Sequence, residues 1–390
     1  MEVIILAGGL GTRLRSVVHE IPKCLAPIGA NSCAERPFLG YLLEWLVGQG
    51  VNHVVFSVGY LHEQVMAYVQ SREWPFEYDF AIEDHPLGTG GGIKLALEKC
   101  REDHVFVVNG DTFFPVNLNE IPFMAPVTLV LKPMRDFDRY GTVTVSDSQV
   151  IGFQEKQPCS EGLINGGVYA IDRTLLNLGE LPQKFSFEKD VLEPLAAQGQ
   201  LAGRVDDSYF IDIGVPEDYQ LAQWAIPAWL AVQKASAQVM ASKADTLFLD
   251  RDGVINEHLI GDYVKDWSMF RFLPGIKEEL AKWAQKFRYI ILVTNQRGVG
   301  RGVMTDAQLS KIHARMMAEI MEAGGRIDLI LVCTATEDTD PRRKPNPGMY
   351  YEAQACFQDL GRCIMLGDTA SDEQFAKNCQ MPFILLEAAS

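Results

Sequence analysis

Short runs of apolar residues alternate with longer amphipathic stretches along the whole chain. The strand-like runs cover residues 3–7, 53–59, 105–111 and 127–132 in the first half, and residues 246–250, 289–295, 329–333 and 363–368 in the second. Uninterrupted apolar runs of this length are typical of buried parallel strands, and amphipathic stretches between them indicate βαβ units. The pattern therefore predicts two α/β domains in succession.

A change of composition marks the expected boundary. Residues 222–244 are rich in Ala and Gln, contain no Gly and contain a single Pro, which favours a helical connector over a flexible tether. The length of 390 residues suits two domains of ordinary size. We expect a first domain over residues 1–225, a helical connector over 226–243 and a second domain over 244–390.

Charge and cysteine usage narrow the function classes. A formal net charge of -16 repels polyanions, so general nucleic-acid binding is not expected, although small phosphorylated substrates remain compatible with local positive pockets. The eight cysteines form no CxxC pair and indicate free thiols in a reducing compartment. No run resembles a signal peptide or reaches the roughly 18–20 apolar residues of a membrane span, so we expect a cytoplasmic protein with no membrane partner.

A glycine-rich segment follows the first apolar run. Gly8, Gly9 and Gly11 permit a sharp turn and a close approach of the backbone to an anion. Arg13 adds a bidentate phosphate donor, and Lys23 adds a second cation. The segment is neither a Walker A loop nor a clean GxGxxG, and taken alone it also fits a tight turn between strand and helix.

Further motifs follow in order over about residues 1–222: GGLGTRL (8–14), IPK (21–23), IEDHPLGTGGGI (82–93), NGDT (109–112), RYG (139–141), FQEK (153–156), INGGVY (164–169), FSFE (185–188) and DIGVPEDY (212–219). This set resembles the sugar-1-phosphate nucleotidylyltransferases, whose domain is Rossmann-like (GT-A-like). Within them it is most similar to D-glycero-α-D-manno-heptose 1-phosphate guanylyltransferases, with mannose 1-phosphate guanylyltransferases as near neighbours.

The resemblance implies roles for individual residues. Asp111 and Asp212 would hold Mg²⁺, while Arg13 and Lys23 would bind the triphosphate and stabilise the departing pyrophosphate. The nucleotide would also be bound by Leu6, Ala7, Gly8, Gly9, Gly11, Thr12, Glu83, Gly88, Thr89 and Asp111. The sugar phosphate would be bound by Asn109, Lys156, Asn165, Gly166 and Glu188. Two departures from the family pattern are Cys24, where Pro is common, and a longer loop over residues 29–36.

Two aspartates, Asp250 and Asp252, follow the first apolar run of the second half. If the strand continues through Asp250, the period of two places both carboxylates on one face, which suits a nucleophile and an acid/base group at one phosphorus atom. A DxDG turn or a calcium-loop fragment is the alternative, but the further oxygen ligands of an EF-hand are absent. TNQ (294–296), RRKP (342–345) and LGDTASD (366–372) close the following strands.

This second set resembles the haloacid dehalogenase (HAD) superfamily over about residues 245–388, and within it the heptose bisphosphate and histidinol phosphatases. The resemblance implies that Asp250 is the nucleophile and that Asp252 is the acid/base. Thr294 and Lys344 would hold the phosphoryl oxygens. Mg²⁺ would be bound by Asp250, Asp368 and the Asp252 carbonyl, with Asp372 supporting the metal shell. The resemblance also implies substrate contacts for Asn295, Arg301 and Arg343.

Two absences refine the expectation for the second domain. Many members of the group carry a zinc loop before the RKP motif, but here only Cys333 remains of its four ligands, so no zinc is predicted. The spacing between the motifs leaves no room for a large cap domain, and loops must then determine specificity.

Together the two halves predict a bifunctional enzyme of GDP-heptose biosynthesis for surface glycans. The second domain would remove the 7-phosphate of D-glycero-α-D-manno-heptose 1,7-bisphosphate, and the first would join GTP to the resulting 1-phosphate. Three alternatives stay open. The sugar 1-phosphate is mannose 1-phosphate or another one, and the phosphatase acts on a different small phosphate ester; the nucleotide carries another base; or one domain is catalytically inactive. The sequence also leaves open the exact anomer, direct transfer of the intermediate, and whether the chain forms a homo-oligomer.

Overall fold

The computed structural model describes residues 1–9, 14, 20–29 and 35–387. Its contacts divide the chain into an N-terminal unit, Met1–Gln223, and a C-terminal unit, Trp224–Ser390. Each of the eight apolar runs contains a strand, and both units are α/β, which confirms the predicted fold class. Among the described residues, no helix combines the length and the apolar character that a membrane crossing requires.

The N-terminal unit contains thirteen described strands. They are β1 (Glu2–Leu6), β2 (Pro27–Ile28), β3 (Arg36–Pro37), β4 (His53–Val58), β5 (Glu77–Ile82), β6 (His104–Asn109), β7 (Thr112–Phe113), β8 (Val127–Phe137), β9 (Thr142–Ser146), β10 (Gln149–Gln154), β11 (Cys159–Asp172), β12 (Leu201–Val205) and β13 (Ile211–Asp212). The described helices that begin in this unit are α1 (Phe38–Gly48), α2 (His62–Gln70), α3 (Gly88–Leu97), α4 (Glu193–Ala197) and α5 (Pro216–Ala241).

Nine of these strands form one mixed sheet in the order β5-β4-β1-β6-β11-β8-β12-β10-β9. Strands β5, β4, β1 and β6 are parallel neighbours, as expected for βαβ units. The long strand β11 then lies antiparallel between β6 and β8, so the predicted strand β8 points in the same direction as β6 without pairing with it. The parallel half therefore brings the carboxyl ends of β1, β4, β5 and β6 to one edge of the sheet.

Glu2 is a buried charge at the start of this sheet. Its side chain is 2% exposed and accepts hydrogen bonds from the backbone amides of Arg101 and Glu102 at 2.7 to 3.1 Å. It is also hydrogen bonded to Nδ1 of His53 at 2.7 Å. Burial opposes ionisation, but these hydrogen bonds lower the pKa of Glu2 below its usual value. The carboxylate thus fastens the turn after α3 to the first strand.

The C-terminal unit is built on five parallel strands in the order β16-β15-β14-β17-β18. The strands are β14 (Thr246–Leu249), β15 (Tyr289–Asn295), β16 (Leu329–Cys333), β17 (Cys363–Gly367) and β18 (Phe383–Leu385). The helices are α6 (Ile276–Lys286), α7 (Arg297–Gly300), α8 (Asp306–Glu322), α9 (Gly348–Cys356) and α10 (Ala370–Asn378). No cap domain is inserted between the described elements, as predicted.

Apolar layers cover both faces of this sheet. In β14, Leu247 and Leu249 belong to one buried cluster, whereas Phe248 belongs to the cluster on the opposite face. Ile291 and Val293 of β15 share the face of Phe248. The alternation explains why the strands appear in the sequence as unbroken apolar runs, since every position is buried on one side or the other.

Helix α5 crosses the boundary between the two units without interruption and contains Pro227 in its interior. Its later part carries four residues of the C-terminal core, all at most 2% exposed: Ala228, Val232, Ala235 and Val239. The hydroxyl of Ser236 lies against the buried carboxylate of Glu279, and the indole of Trp283 donates to that hydroxyl at 3.0 Å. This part of the helix therefore belongs to the C-terminal fold, while the expected domain limits stay predictions.

Candidate active sites

In the N-terminal unit, Glu83 follows β5 at the carboxyl edge of the sheet and is enclosed by glycines. A Cβ atom on Gly8 would lie 3.0 Å from its carboxylate, and one on Gly92 would lie 2.9 Å away. The other carboxylate oxygen accepts a hydrogen bond from the amide of Leu87 at 2.9 Å. Burial raises the pKa of Glu83. The first glycines of the loop after β1 and the 87–91 segment thus meet at one acidic group.

Lys23, Asp111 and Asp212 form the charged centre of this unit. The Lys23 ammonium lies 2.5 Å from a carboxylate oxygen of Asp111 and 3.6 Å from one of Asp212. The short strands β7 and β13 pair next to these carboxylates and hold them side by side. Burial, with the charge of Asp111, raises the pKa of Asp212, which Lys23 opposes. Two adjacent carboxylates that share a single lysine suit a divalent cation, which would relieve their repulsion.

Three of the predicted sugar-binding residues, Asn109, Asn165 and Gly166, lie where the paired strands β6 and β11 pack closely. Asn165 accepts a hydrogen bond from the amide of Gly167 at 2.9 Å and donates to the hydroxyl of Tyr169 at 3.0 Å. Gly167 has a φ of +72° and packs against the side chain of Asn109. A Cβ on Gly166 would lie 2.4 Å from the Phe114 ring. Positions 166 and 167 of β11 therefore require glycine, because a side chain there would overlap Phe114 or Asn109.

The segment over residues 87–91 packs on the chain that precedes Glu188. The Thr89 hydroxyl accepts a hydrogen bond from the amide of Phe187 at 3.0 Å. Gly88 has a φ of +73°, and a Cβ there would lie 2.5 Å from the carbonyl oxygen of Phe185. Glu188 and Lys156 are exposed, and their predicted sugar contacts stay predictions.

Several predicted residues fall outside the part of the chain that is described. They are Gly11, Thr12 and Arg13 of the glycine-rich loop, together with residues 30–34 of the longer loop. Of the remaining nucleotide-binding residues, Leu6 ends β1, Ala7 donates its amide to the carbonyl of Ser57 at 2.8 Å, and Gly9 follows in the same turn. Cys24, the departure noted beside Lys23, is buried, and its burial raises the pKa of the thiol to about 12.

In the C-terminal unit, Asp250 directly follows β14, and its amide continues the ladder to Leu366. The Lys344 ammonium, 3% exposed, lies 2.9 Å from Asp250 and 2.5 Å from Asp372. Burial raises the pKa of Asp250 to about 7, although Lys344 opposes the shift, and Asp372 adds to it. A buried lysine between two carboxylates leaves this corner with a net negative charge, which suits a cation.

The carboxylate of Asp252 is held by donors on all sides. Arg251 Nη2 donates to both oxygens at 2.8 and 2.9 Å, Asn256 donates at 2.9 Å and Gln296 donates at 2.8 Å. Burial would raise the pKa of Asp252, but Arg251 and the two amides bring it below the usual value. The roles of Arg251, Asn256 and Gln296 were not predicted, although Arg251 lies between the paired aspartates and Gln296 ends the TNQ motif.

Asp368 completes an acidic cluster. Carboxylate oxygens of Asp250, Asp368 and Asp372 lie within 4.8 Å of one another. One oxygen of Asp368 is 2.9 Å from Nδ1 of His258, and the other is buried without a hydrogen-bond partner. An unpaired buried carboxylate oxygen is costly, and hard oxygen ligands of this kind are those that Mg²⁺ prefers. The residues present therefore fit a magnesium ion.

A pocket of about 270 Å³ opens above these groups. Both Asp250 and Asp252 line it, together with Asn295, Arg343 and Lys344, which were predicted. Five residues of an irregular loop also line it, and no motif pointed to them: His258, Leu259, Asp262, Tyr263 and Val264. Two of the residues predicted to contact substrate form hydrogen bonds within the protein. Arg301 donates to the hydroxyl of Tyr263 at 3.1 Å, and Arg343 donates to Asp338 at 2.9 Å.

Thr294 and Asn295 end β15, the strand that pairs with β14. Thr294 is fully buried, and its hydroxyl accepts a hydrogen bond from Gln296 at 2.9 Å. The side-chain amide of Asn295 makes two hydrogen bonds of 3.0 Å with the backbone of Lys344. Asn295 therefore fixes the backbone that carries the lysine, and its predicted contact with substrate stays a prediction.

Comparison with known proteins finds a family match in each of the two units. The nucleotidyl transferase family model matches residues 2–227, and the polynucleotide kinase 3 phosphatase model matches residues 246–388. D-glycero-alpha-D-manno-heptose 1-phosphate guanylyltransferase of Aneurinibacillus thermoaerophilus is 49% identical over 57% of this chain and 97% of its own length.

Two solved structures are also similar. HddC from Yersinia pseudotuberculosis, complexed with GMP-PN, is 36% identical over 57% of this chain and 97% of its own, with a TM-score of 0.51. D,D-heptose 1,7-bisphosphate phosphatase from B. bronchiseptica, complexed with magnesium and phosphate, is 33% identical over 36% of this chain and 79% of its own, with a TM-score of 0.35. With a nucleotidyl transferase match over more than half of its length, followed by a phosphatase domain, this chain belongs to the nucleotidyl transferase family.

Proposed function

We propose that this protein is a bifunctional enzyme of GDP-heptose formation. The C-terminal unit would remove the 7-phosphate of D-glycero-α-D-manno-heptose 1,7-bisphosphate. The N-terminal unit would then transfer GMP from GTP to the 1-phosphate and release pyrophosphate. The observation that carries the proposal is the 49% identity with a heptose 1-phosphate guanylyltransferase over nearly its whole length.

In the transferase reaction, a phosphate oxygen of the sugar 1-phosphate attacks the α-phosphorus of GTP. The new P–O bond forms as the bond to the pyrophosphate oxygen breaks, so no proton has to be transferred. Two anions must approach each other, and the protein contributes positioning and charge compensation. Lys23 would neutralise phosphate oxygens, Asp111 and Asp212 would hold Mg²⁺, and the enclosed carboxylate of Glu83 would accept hydrogen bonds from the nucleotide.

In the phosphatase reaction, a carboxylate oxygen of Asp250 attacks phosphorus, and the bond to the sugar oxygen breaks. For this step Asp252 must take up a proton despite the donors that favour its charged form, and it gives that proton to the sugar oxygen, so that the sugar leaves as an alcohol. A water oxygen then attacks phosphorus, its proton passes to Asp252, and the aspartyl P–O bond breaks to restore Asp250. Lys344 and Thr294 would hold the phosphoryl oxygens during both steps.

Magnesium would be bound by Asp250, Asp368 and the carbonyl of Asp252, supported by Asp372, and would supply a positive charge beside the phosphoryl oxygens. We propose the same cation for Asp111 and Asp212. No zinc is needed in this proposal, because Cys333 is the single thiol in its loop and a structural zinc requires four ligands.

The proposed reactions suit the cytoplasm, where GTP is available. All seven cysteines in the described part of the chain are free, which is the state that a reducing compartment maintains. The location and the identity of the sugar and base remain parts of the proposal, and the oligomeric state is left open.

The test is mass spectrometry of a reaction that contains the whole protein, Mg²⁺, GTP and α-heptose 1,7-bisphosphate, with mannose 1-phosphate supplied in parallel. We expect GDP-heptose together with phosphate and pyrophosphate. GDP-mannose without any heptose product would keep both chemistries but refute the proposed sugar. Asp250→Asn should abolish phosphate release and leave pyrophosphate release from heptose 1-phosphate and GTP intact. Asp111→Asn should do the opposite, and loss of both activities in either folded variant would refute two independent sites.

A further inference from the structure

A buried arginine lies behind the Asp252 carboxylate. Arg251 is 1% exposed, and its Nη2 and Nε atoms form three hydrogen bonds of 2.8 to 3.3 Å with Asp252. This is a bidentate arrangement, in which a planar fork fixes both the position and the plane of a carboxylate. The remaining outer nitrogen, Nη1, faces away from Asp252.

That nitrogen is met by His313, which projects from helix α8 and is 8% exposed. The distance between Arg251 Nη1 and His313 Nε2 is 3.2 Å. Because a guanidinium can only donate, Nε2 must be the acceptor, and the neutral ring carries its proton on Nδ1. Burial, with the charge of Arg251, lowers the pKa of His313 to about 4, so the ring stays an acceptor at neutral pH.

The three residues form a chain that runs from the helix to the pocket. His313 fixes the outer edge of the guanidinium, the inner edge fixes Asp252, and Asp252 lines the pocket beside Asp250. Hydrogen bonds also fix the backbone of Arg251, since its carbonyl oxygen accepts hydrogen bonds from the amides of Ile255 and Asn256 at 2.8 and 3.1 Å. The direction of the Asp252 carboxylate therefore depends on a histidine that does not line the pocket.

We propose that His313 and Arg251 are positioning residues for the phosphatase reaction, and that together they fix the Asp252 carboxylate in the orientation from which it exchanges protons with the leaving alcohol and with water. The proposal rests on the proposed phosphatase function. Arg251 acts on Asp252 directly, and His313 acts only through Arg251.

The leaving group reveals this role. A primary alkyl phosphate, such as the 7-phosphate of the proposed substrate, expels a strongly basic alkoxide and depends on the proton from Asp252. 4-Nitrophenyl phosphate expels a weakly basic phenolate and needs little proton transfer. A change in the orientation of Asp252 must therefore slow hydrolysis of the alkyl ester much more than hydrolysis of the aryl ester. Loss of folded protein lowers both rates equally.

The experiment compares kcat/KM for these two esters with the whole protein and Mg²⁺. In His313→Leu, we expect kcat/KM to fall about 10- to 100-fold for the alkyl ester and less than about threefold for the aryl ester. General acid catalysis typically contributes a factor of about 10²–10⁴ to the rate. His313→Gln offers an amide oxygen to Arg251 and should restore most of the wild-type ratio. Met316→Ala removes a buried side chain one turn further along α8, and it should lower stability without changing the ratio.

If His313→Leu does not fold, Arg251→Lys serves instead, since it keeps the charge but loses the bidentate contact, and the same change of ratio is expected. Equal slowing of both esters in a folded variant would reduce the pair to a structural role and overturn the proposal. An unchanged ratio with unchanged rates would overturn it as well. Absence of both reactions in the wild-type protein would instead refute the phosphatase function.

Discussion

Helix α5 provides the most direct test of where the C-terminal fold begins. Val232 and Val239 are fully buried in the core of that unit, although both lie in the segment expected to be a connector. Replacing Val by Ala removes about two buried carbon groups, worth about 0.8 kcal/mol each, and leaves a cavity. We expect a loss of about 2 kcal/mol for each variant and, because the sites are two helical turns apart, about 4 kcal/mol for Val232→Ala/Val239→Ala.

Hydrogen exchange with mass spectrometry measures this loss separately in the two units. In the double variant, amides of β15 that exchange by opening of the whole unit should exchange about a thousandfold faster, since each 1.4 kcal/mol is a factor of ten. Amides of β4 in the N-terminal unit should keep their protection. Val303→Ala, at a position 46% exposed, is the matched control and should change neither strand. Unchanged protection of β15 in the double variant would refute the inclusion of this helix in the C-terminal fold.

Three further predictions concern single side chains. Lys344→Met leaves two buried carboxylates without their shared cation, and a phosphate-release assay should show at least about a thousandfold loss while pyrophosphate release persists. Glu2→Gln should cost about 2 kcal/mol in urea unfolding at pH 7. Because the folded pKa of Glu2 is lowered, the wild-type advantage is full above the unfolded pKa of about 4.3 and disappears as the pH falls through the folded value; an advantage that survives at pH 2 would contradict this origin. Gly88→Ala forces a Cβ against the Phe185 carbonyl at a positive φ and should lower transferase kcat/KM about tenfold, whereas Gly48→Ala, which meets no neighbour, should not.

Features that depend on residues close together in the chain could be predicted from the sequence. The apolar runs located the strands because nearly every residue of a doubly covered parallel strand is buried, as Leu247 and Phe248 illustrate. Asp250 and Asp252 could be predicted to lie together because they are two residues apart at one strand end, and both line the pocket. Lys344 was predicted through the resemblance of its RRKP motif to the phosphatases, and the structure brings its ammonium 2.9 Å from Asp250.

Contacts between distant parts of the chain could not be predicted in this way. His313 lies on an ordinary amphipathic helix, and only the fold brings it 3.2 Å from Arg251. Residues 258–264 have no periodicity, so their place in the pocket wall follows from a path that the backbone takes between β14 and α6. The buried part of α5 resembled a connector because its core residues are small, and small residues give a weak hydrophobic signal.

The alternating burial of the β14 side chains has a consequence for the pairing register that this strand adopts during folding. A slip of one residue in its pairing would exchange Leu247 and Leu249 with Phe248 across the sheet, and the same slip would turn Asp250 away from Lys344. The register of this one strand thus determines both which side chains enter each hydrophobic layer and where the Asp250 carboxylate lies. A chain with β14 in the wrong register would therefore lose the packing of both layers and the ion pair between Asp250 and Lys344 together.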